Sequence, residues 1–166
     1  MKRILVLGNG GSGKSTFSEA LGNKTGIPVV HLDSYYWKPG WAMPGNDEWL
    51  AILESLLQKD SWIMDGNYRH TIDMRLEQAD TVFFLDIPTG LCLNRIYRRA
   101  LFPKQRIDTI KGCRERVDRE FLKWVMNYSR EIRPELISKL ESVIGEKKVF
   151  IFQSKKEIAE YLSSLP

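Results

Sequence analysis

Lys2-Arg3-Ile4-Leu5-Val6-Leu7-Gly8-Asn9-Gly10-Gly11-Ser12-Gly13-Lys14-Ser15 decides how this chain is read. The apolar run Ile4 to Leu7 has the look of a central parallel strand, buried on both faces. A glycine-rich turn follows it, and then a helical pattern through Phe17, Ala20 and Leu21. Gly8 to Ser15 matches G-x-x-x-x-G-K-[ST] in the context that pattern requires, after a strand and before a helix. Glycines let the backbone turn tightly around an anion, and successive N–H groups converge on phosphate oxygens. The new helix adds its unsatisfied N–H groups and the positive end of its dipole. Gly8, Gly10, Gly11, Ser12, Gly13, Lys14, Ser15 and Thr16 are therefore the expected nucleotide ligands, with Lys14 on the β- and γ-phosphates and Ser15 on Mg²⁺. Gly8, Gly10 and Gly13 also satisfy G-x-G-x-x-G, but a dinucleotide-binding helix has no use for the ammonium and hydroxyl that follow.

Outward from this unit the chain alternates short strand-like and longer helical patterns. Ile27 to Leu32, Ser61 to Asp65, Asp80 to Asp86 and Lys147 to Phe152 read as further strands. Between them, helical spacing runs from Asn46, a candidate N-cap, through Trp49, Ile52, Leu53, Leu56 and Leu57, and again after Pro88. Tyr36 to Gly45 has neither period and reads as a loop. Val117, Phe121, Trp124, Val125 and Tyr128 share a helical face, and Ser154 with Glu157 forms a capping box for a last short helix. Five strands separated by helices predict a single three-layer α/β domain over 1–166, a parallel sheet with helices on both faces.

Composition agrees with a globular domain. Of 166 residues, 43% are hydrophobic and 28% charged, which excludes a disordered chain. No apolar run reaches the roughly 18 residues of a spanning helix, and no signal-like h-region opens the chain, so no membrane partner and a cytoplasmic location are expected. Cys92 and Cys113 have no metal-ligand spacing and read as packing residues. The net charge of +4 is uneven: Arg95 to Arg119 holds nine basic and three acidic residues, a net of +6, leaving −2 elsewhere. One segment is built to meet polyanions.

Three acids stand at strand ends. Asp33 follows the second strand, Asp65 ends the third and Asp86 ends the fourth. Phosphoryl transfer needs Mg²⁺ held through oxygen ligands or waters, and a hydroxyl acceptor gains from a carboxylate that orients it or takes its proton. Asp33 and Asp65 are candidates for both tasks, as catalytic groups and, with Ser15, as metal ligands. Asp33 is the first choice for the acceptor. Asp86, in an acid-x-proline turn, reads equally as structural. Arg95 and Arg99 share a helix face and would clamp the transferring group, or else form a solvated basic face. Tyr36, Trp37 and Trp41 would stack on a planar acceptor or form a satellite core; Trp49 reads as core.

Together these motifs resemble the adenylate-kinase-like nucleoside and nucleotide kinases, and more closely the DNA topology modulation, or FlaR-related, family. The resemblance rests on Gly8 to Ser15, on His31-Leu32-Asp33 with Trp37-Lys38-Pro39-Gly40-Trp41, and on Trp62-Ile63-Met64-Asp65-Gly66-Asn67-Tyr68. Leu85-Asp86-Ile87-Pro88, the Arg95, Arg98 and Arg99 cluster, and Phe121-Leu122-Lys123-Trp124 extend it. It implies the sheet order 2-3-1-4-5, an acceptor-binding insertion over about Tyr35 to Lys59 and a short basic lid over about Ala100 to Gly112. It also implies that Arg95 lies near the adenine and Arg99 near the phosphates. The adenylate kinase motif of aspartate, glycine, phenylalanine, proline and arginine stands here as Asp65-Gly66-Asn67-Tyr68-Arg69, and the AMP-binding arginine has no clear counterpart.

The expectation is an ATP-binding, Mg²⁺-dependent phosphotransferase, a P-loop kinase acting on a nucleoside, a nucleotide or another small hydroxylated metabolite. The alternative is a nucleotide-binding regulator whose basic lid, through Arg106, Arg114 and Arg116, contacts DNA and influences its topology.

Overall fold

The computed structural model describes residues 1–102 and 118–166. Among them five strands form one parallel sheet: β1 (Arg3–Gly8), β2 (Val29–His31), β3 (Trp62–Asp65), β4 (Thr81–Leu85) and β5 (Lys148–Phe152), in the order β2-β3-β1-β4-β5. The order is the one the family resemblance implies. Register is direct, with Val6 opposite Asp65 on one side and Phe83 on the other.

The helices are α1 (Lys14–Thr25), α2 (Asp33–Tyr36), α3 (Asn46–Leu57), α4 (Ile72–Gln78), α5 (Thr89–Leu101), α6 (Arg119–Glu131), α7 (Arg133–Val143) and α8 (Lys155–Ser164). Alternation along β1 shows how the layers form. Leu5 and Leu7 enter one core with Trp49 and Leu53 of α3, Leu76 of α4 and Leu136 of α7. Ile4 and Val6 enter the other, with Phe17 and Leu21 of α1, Cys92 and Ile96 of α5 and Val125 of α6. A strand buried on both faces has to be apolar at every position, which is why the opening run does not alternate.

Several expectations are corrected. The stretch read as a loop from Tyr36 to Gly45 begins inside α2 and holds a 3₁₀ turn at Pro39–Trp41. Elements of three or four residues are too short for a period to show. The N-cap of α3 is Gly45, not Asn46, which is already helical. At the last helix Ser154 is the N-cap and accepts from the Glu157 N–H, as the first half of a capping box requires, while the Glu157 carboxylate accepts from the Ser154 hydroxyl and from the Gln153 N–H, one residue before the cap. The expected lid beyond Phe102, together with Arg106, Cys113, Arg114 and Arg116, lies outside the described residues.

Candidate functional site

The carboxyl ends of β1, β3 and β2 converge on one region, each followed by a turn that carries polar groups. After β1, Gly8 to Gly13 folds back over the start of α1. Gly11 takes a left-handed φ of 77°, and a Cβ there would lie 2.6 Å from the Cys92 carbonyl oxygen of α5. Only glycine fits. Gly10 packs under α6, where a Cβ would meet Val125 and Phe121 at 3.0 and 3.1 Å. Asn9 ties the turn to the same helix by donating to the Val125 carbonyl at 3.0 Å.

α1 begins without an acid in its first turn and without a side-chain cap, so its N-terminal field faces the turn unopposed. Lys14 Nζ curls back to the carbonyls of Gly8 and Asn9, each at 2.9 Å. Arg95 Nη1 reaches the Ser12 carbonyl at 2.8 Å and that of Gly11 at 3.4 Å. Two cations thus sit on the turn that was read as a phosphate cradle. On α5, Arg95 and Arg99 are half-buried and Arg98 is exposed, which separates the pair from the third member of the cluster. Thr16 is exposed beside Ser15.

The turn after β3 supplies three side chains from four consecutive residues. Asp65 is buried, and its Oδ1 lies 2.9 Å from His31 Nδ1. His31 Nε2 lies 2.8 Å from Glu19 Oε1, so the ring bridges β2, β3 and α1 between two carboxylates. Donation from both nitrogens suits the imidazolium. Asn67 exchanges two hydrogen bonds with the backbone of Gly8. Tyr68 donates from Oη to Asp33 Oδ1 at 2.6 Å. Burial, reinforced by the Asp33 charge, pushes the Tyr68 hydroxyl above its ordinary range and keeps it a donor.

Beneath this turn lies Arg75, fully buried on α4. It donates to the carbonyls of Gly66 (2.7 Å), Asn67 (2.6 Å), Tyr68 (3.0 Å) and Thr71 (3.2 Å). Burial lowers its guanidinium to about 9, so it stays cationic at neutral pH.

Asp33 is exposed at the first position of α2. The aromatic residues beside it pack on one another. Tyr36 meets Trp37 and Trp49 edge to face at 5.0 Å and Tyr68 at 4.6 Å, while Trp37 meets Trp41 at 5.5 Å. This is the arrangement of a satellite core.

Asp86 departs from the other two acids. Both its oxygens are held at 2.7 Å by the fork of Arg133 on α7, which raises the guanidinium further. The pair borders a separate groove of about 320 Å³ over β4 and β5, with Tyr128, Thr89 and Gln153. Sequence reasoning passed over Glu19, Asn67, Tyr68, Arg75 and Arg133 as site residues. Asp65-Gly66-Asn67-Tyr68 was in view as a motif, but its partners lie far away in the chain.

Three polar atoms in the region are buried without a hydrogen-bond partner among the described residues: Asn9 Oδ1, Ser12 Oγ and Asp65 Oδ2. Buried polar atoms are normally satisfied, and such a group at a cleft marks a place a ligand would complete.

Solved structures share this fold. A sugar kinase from Janibacter sp. is 15% identical over 99% of this chain and 94% of its own, with a TM-score of 0.54. A gluconokinase from Sinorhizobium meliloti is 19% identical over 98% and 87%, at 0.55. A shikimate kinase from Bacteroides thetaiotaomicron is 15% identical over 99% and 95%, at 0.54. The chain therefore has the three-layer α/β fold of the P-loop kinases. No family model and no curated protein matches it, and the comparisons do not support the likeness to the DNA topology modulation family. No described helix is long and apolar enough to cross a membrane.

Proposed function

We propose that this chain is an ATP-dependent phosphotransferase that acts on a small hydroxylated acceptor. The observation that carries the reading is the joining of two half-sites through one turn: Asn67 grips Gly8 of the phosphate turn while its neighbour Tyr68 grips Asp33. Kinase structures named for a sugar, gluconate and shikimate share the fold and support an acceptor of this size and kind.

The triphosphate would lie on the N–H groups of Gly10 to Ser15. Lys14, resting on two backbone carbonyls, would turn to the β- and γ-phosphates, and Arg95 and Arg99 would neutralise charge on the oxygens in transfer. Asp33 would orient an acceptor hydroxyl delivered between α2 and α3, within the insertion over about Tyr35 to Lys59. As the acceptor oxygen bonds to the γ-phosphorus, the bond to the β–γ bridging oxygen breaks, ADP leaves and the acceptor's proton passes to Asp33.

The residues fit Mg²⁺. Ser15 offers a hydroxyl in the first turn of α1, and Asp65 Oδ2 is a buried acceptor without a partner among the described residues. The described residues contain no cluster of three or more His, Cys, Asp or Glu able to hold a metal ion, so remaining ligands would come from the nucleotide and water. When bound, the ion would neutralise phosphate charge. Asp33, the third metal candidate, is assigned here to the acceptor.

Calorimetric titration with ATP, with and without Mg²⁺, tests the reading in the native chain and in Lys14→Ala. Affinity should fall at least tenfold in the variant, and equal affinity would overturn the proposal. A phosphotransfer screen over nucleosides, nucleoside monophosphates, neutral sugars and sugar acids then identifies the acceptor.

A further inference from the structure

We propose that Tyr68 is a positioning residue that fixes the Asp33 carboxylate for the acceptor, and that Arg75 holds Tyr68 in the one backbone shape that makes this contact. The inference rests on the phosphotransfer reading and adds two residues to it.

Tyr68 has φ 25° and ψ 70°, a conformation that side-chain-bearing residues seldom adopt. Such strain costs roughly 1–3 kcal/mol and persists only where the surroundings over-determine it. Arg75 is what over-determines it here. Among the described residues the hydrogen bonds of this buried guanidinium go to four carbonyls of one turn, including that of Tyr68 itself. Thr71 adds a further donor to the Tyr68 carbonyl from its hydroxyl, at 3.1 Å. A cation taken wholly out of water to bind backbone is an expensive way to close a turn, so its product should be something an ordinary turn lacks.

That product is the direction of one phenol. The Tyr68 ring lies against Tyr36 at 4.6 Å and Trp49 at 5.0 Å, the latter buried, and this packing favours the rotamer that reaches Asp33. Its hydroxyl ends 2.6 Å from Asp33. Asp33 is an exposed side chain at the first position of a helix of four residues. The phenol bonds one oxygen and so restrains the carboxylate from across 35 residues of sequence. Alignment of a reacting group is where small displacements are most costly to rate. The aromatic cluster thus gains a purpose beyond packing: it is the wall against which the phenol is aimed.

The test uses the full chain with Mg·ATP and water as the acceptor, read by phosphate release, in Tyr68→Phe, Asp33→Asn and the double variant. Tyr68→Phe keeps the ring and removes only the hydroxyl. The expected result is a turnover number at least tenfold lower with the ATP KM within twofold, and no further loss when Tyr68→Phe is added to Asp33→Asn. Crystals of Tyr68→Phe with a nonhydrolysable ATP analogue should show Asp33 in a different rotamer, or several, with Gly66 and Asn67 unmoved. Native turnover in Tyr68→Phe beside an impaired Asp33→Asn would overturn the positioning role alone, as would losses that add in the double variant or an Asp33 that keeps its place. Native turnover in Asp33→Asn would overturn both the proposed base and its positioning.

Discussion

Asn67 and Gly8, fifty-nine residues apart, exchange two hydrogen bonds: the Gly8 N–H donates to Asn67 Oδ1 at 3.2 Å, and Asn67 Nδ2 donates to the Gly8 carbonyl at 2.7 Å. The side-chain amide copies a strand partner just past the point where β3 stops pairing with β1. The same Gly8 carbonyl receives Lys14, so one oxygen gathers both the turn after β3 and the phosphate-binding ammonium. Asn67→Ala removes both bonds and should cost about 1–3 kcal/mol in urea unfolding. Asn67→Asp keeps the acceptor, loses the donor and adds a negative charge beside the phosphate turn. Its ATP affinity should fall further than that of the alanine variant, by about tenfold or more, in the same titration.

Gly11→Ala should damage the phosphate turn from beneath. The new Cβ would stand 2.6 Å from a carbonyl oxygen of α5, at a φ of 77°. A loss of about 2–4 kcal/mol is expected from the clash and the left-handed backbone together. ATP binding should disappear in variant protein that still shows a native circular dichroism spectrum.

Arg75→Met should be among the most damaging single changes. It leaves four carbonyls short of a donor and frees the strained turn, and a loss of about 3–5 kcal/mol by denaturant titration is expected. Arg75→Lys restores the charge but not the fork, and should recover less than half of that loss.

Asp80 gives a pH signature. Burial alone would raise its carboxyl, but the Thr81 hydroxyl and the Arg3 and Lys2 N–H groups outweigh that and hold it below its ordinary value. A folded-state value below the unfolded one contributes stability that is complete above about pH 5 and lost as pH falls through the folded-state value. Melting temperature should therefore drop on acidification below about pH 4, and Asp80→Asn should flatten this limb relative to the native chain.

Local chemistry was legible and distant pairing was not. Gly8 to Ser15 announces itself because strand, turn and helix are contiguous, and the strands appear within a residue or two of their places because their apolar runs are short and abrupt. Asp33 and Asp65 were legible as strand-end acids near the phosphate turn. Asp86 shows the same local pattern, yet Arg133, forty-seven residues on, takes both its oxygens. Tyr68 stands in a quoted motif, but nothing local names Asp33 as its partner, and Arg75 carries no local signal: an arginine in a seven-residue helix reads as solvent-facing, and only the folded chain shows it enclosed under a turn. His31 stands in the quoted run His31-Leu32-Asp33, and its two carboxylate partners come from α1 and β3, neither adjacent in sequence.

The amino-terminal strand occupies the middle of the sheet, with β3 on one edge and β4 on the other. During synthesis it therefore leaves the ribosome long before either neighbour exists, and its second edge is closed only once residues 81–85 have emerged. Until then the apolar run Ile4 to Leu7 stands with open backbone groups on that edge, and the sheet closes through contacts distant in sequence, the kind of pairing that folds slowly.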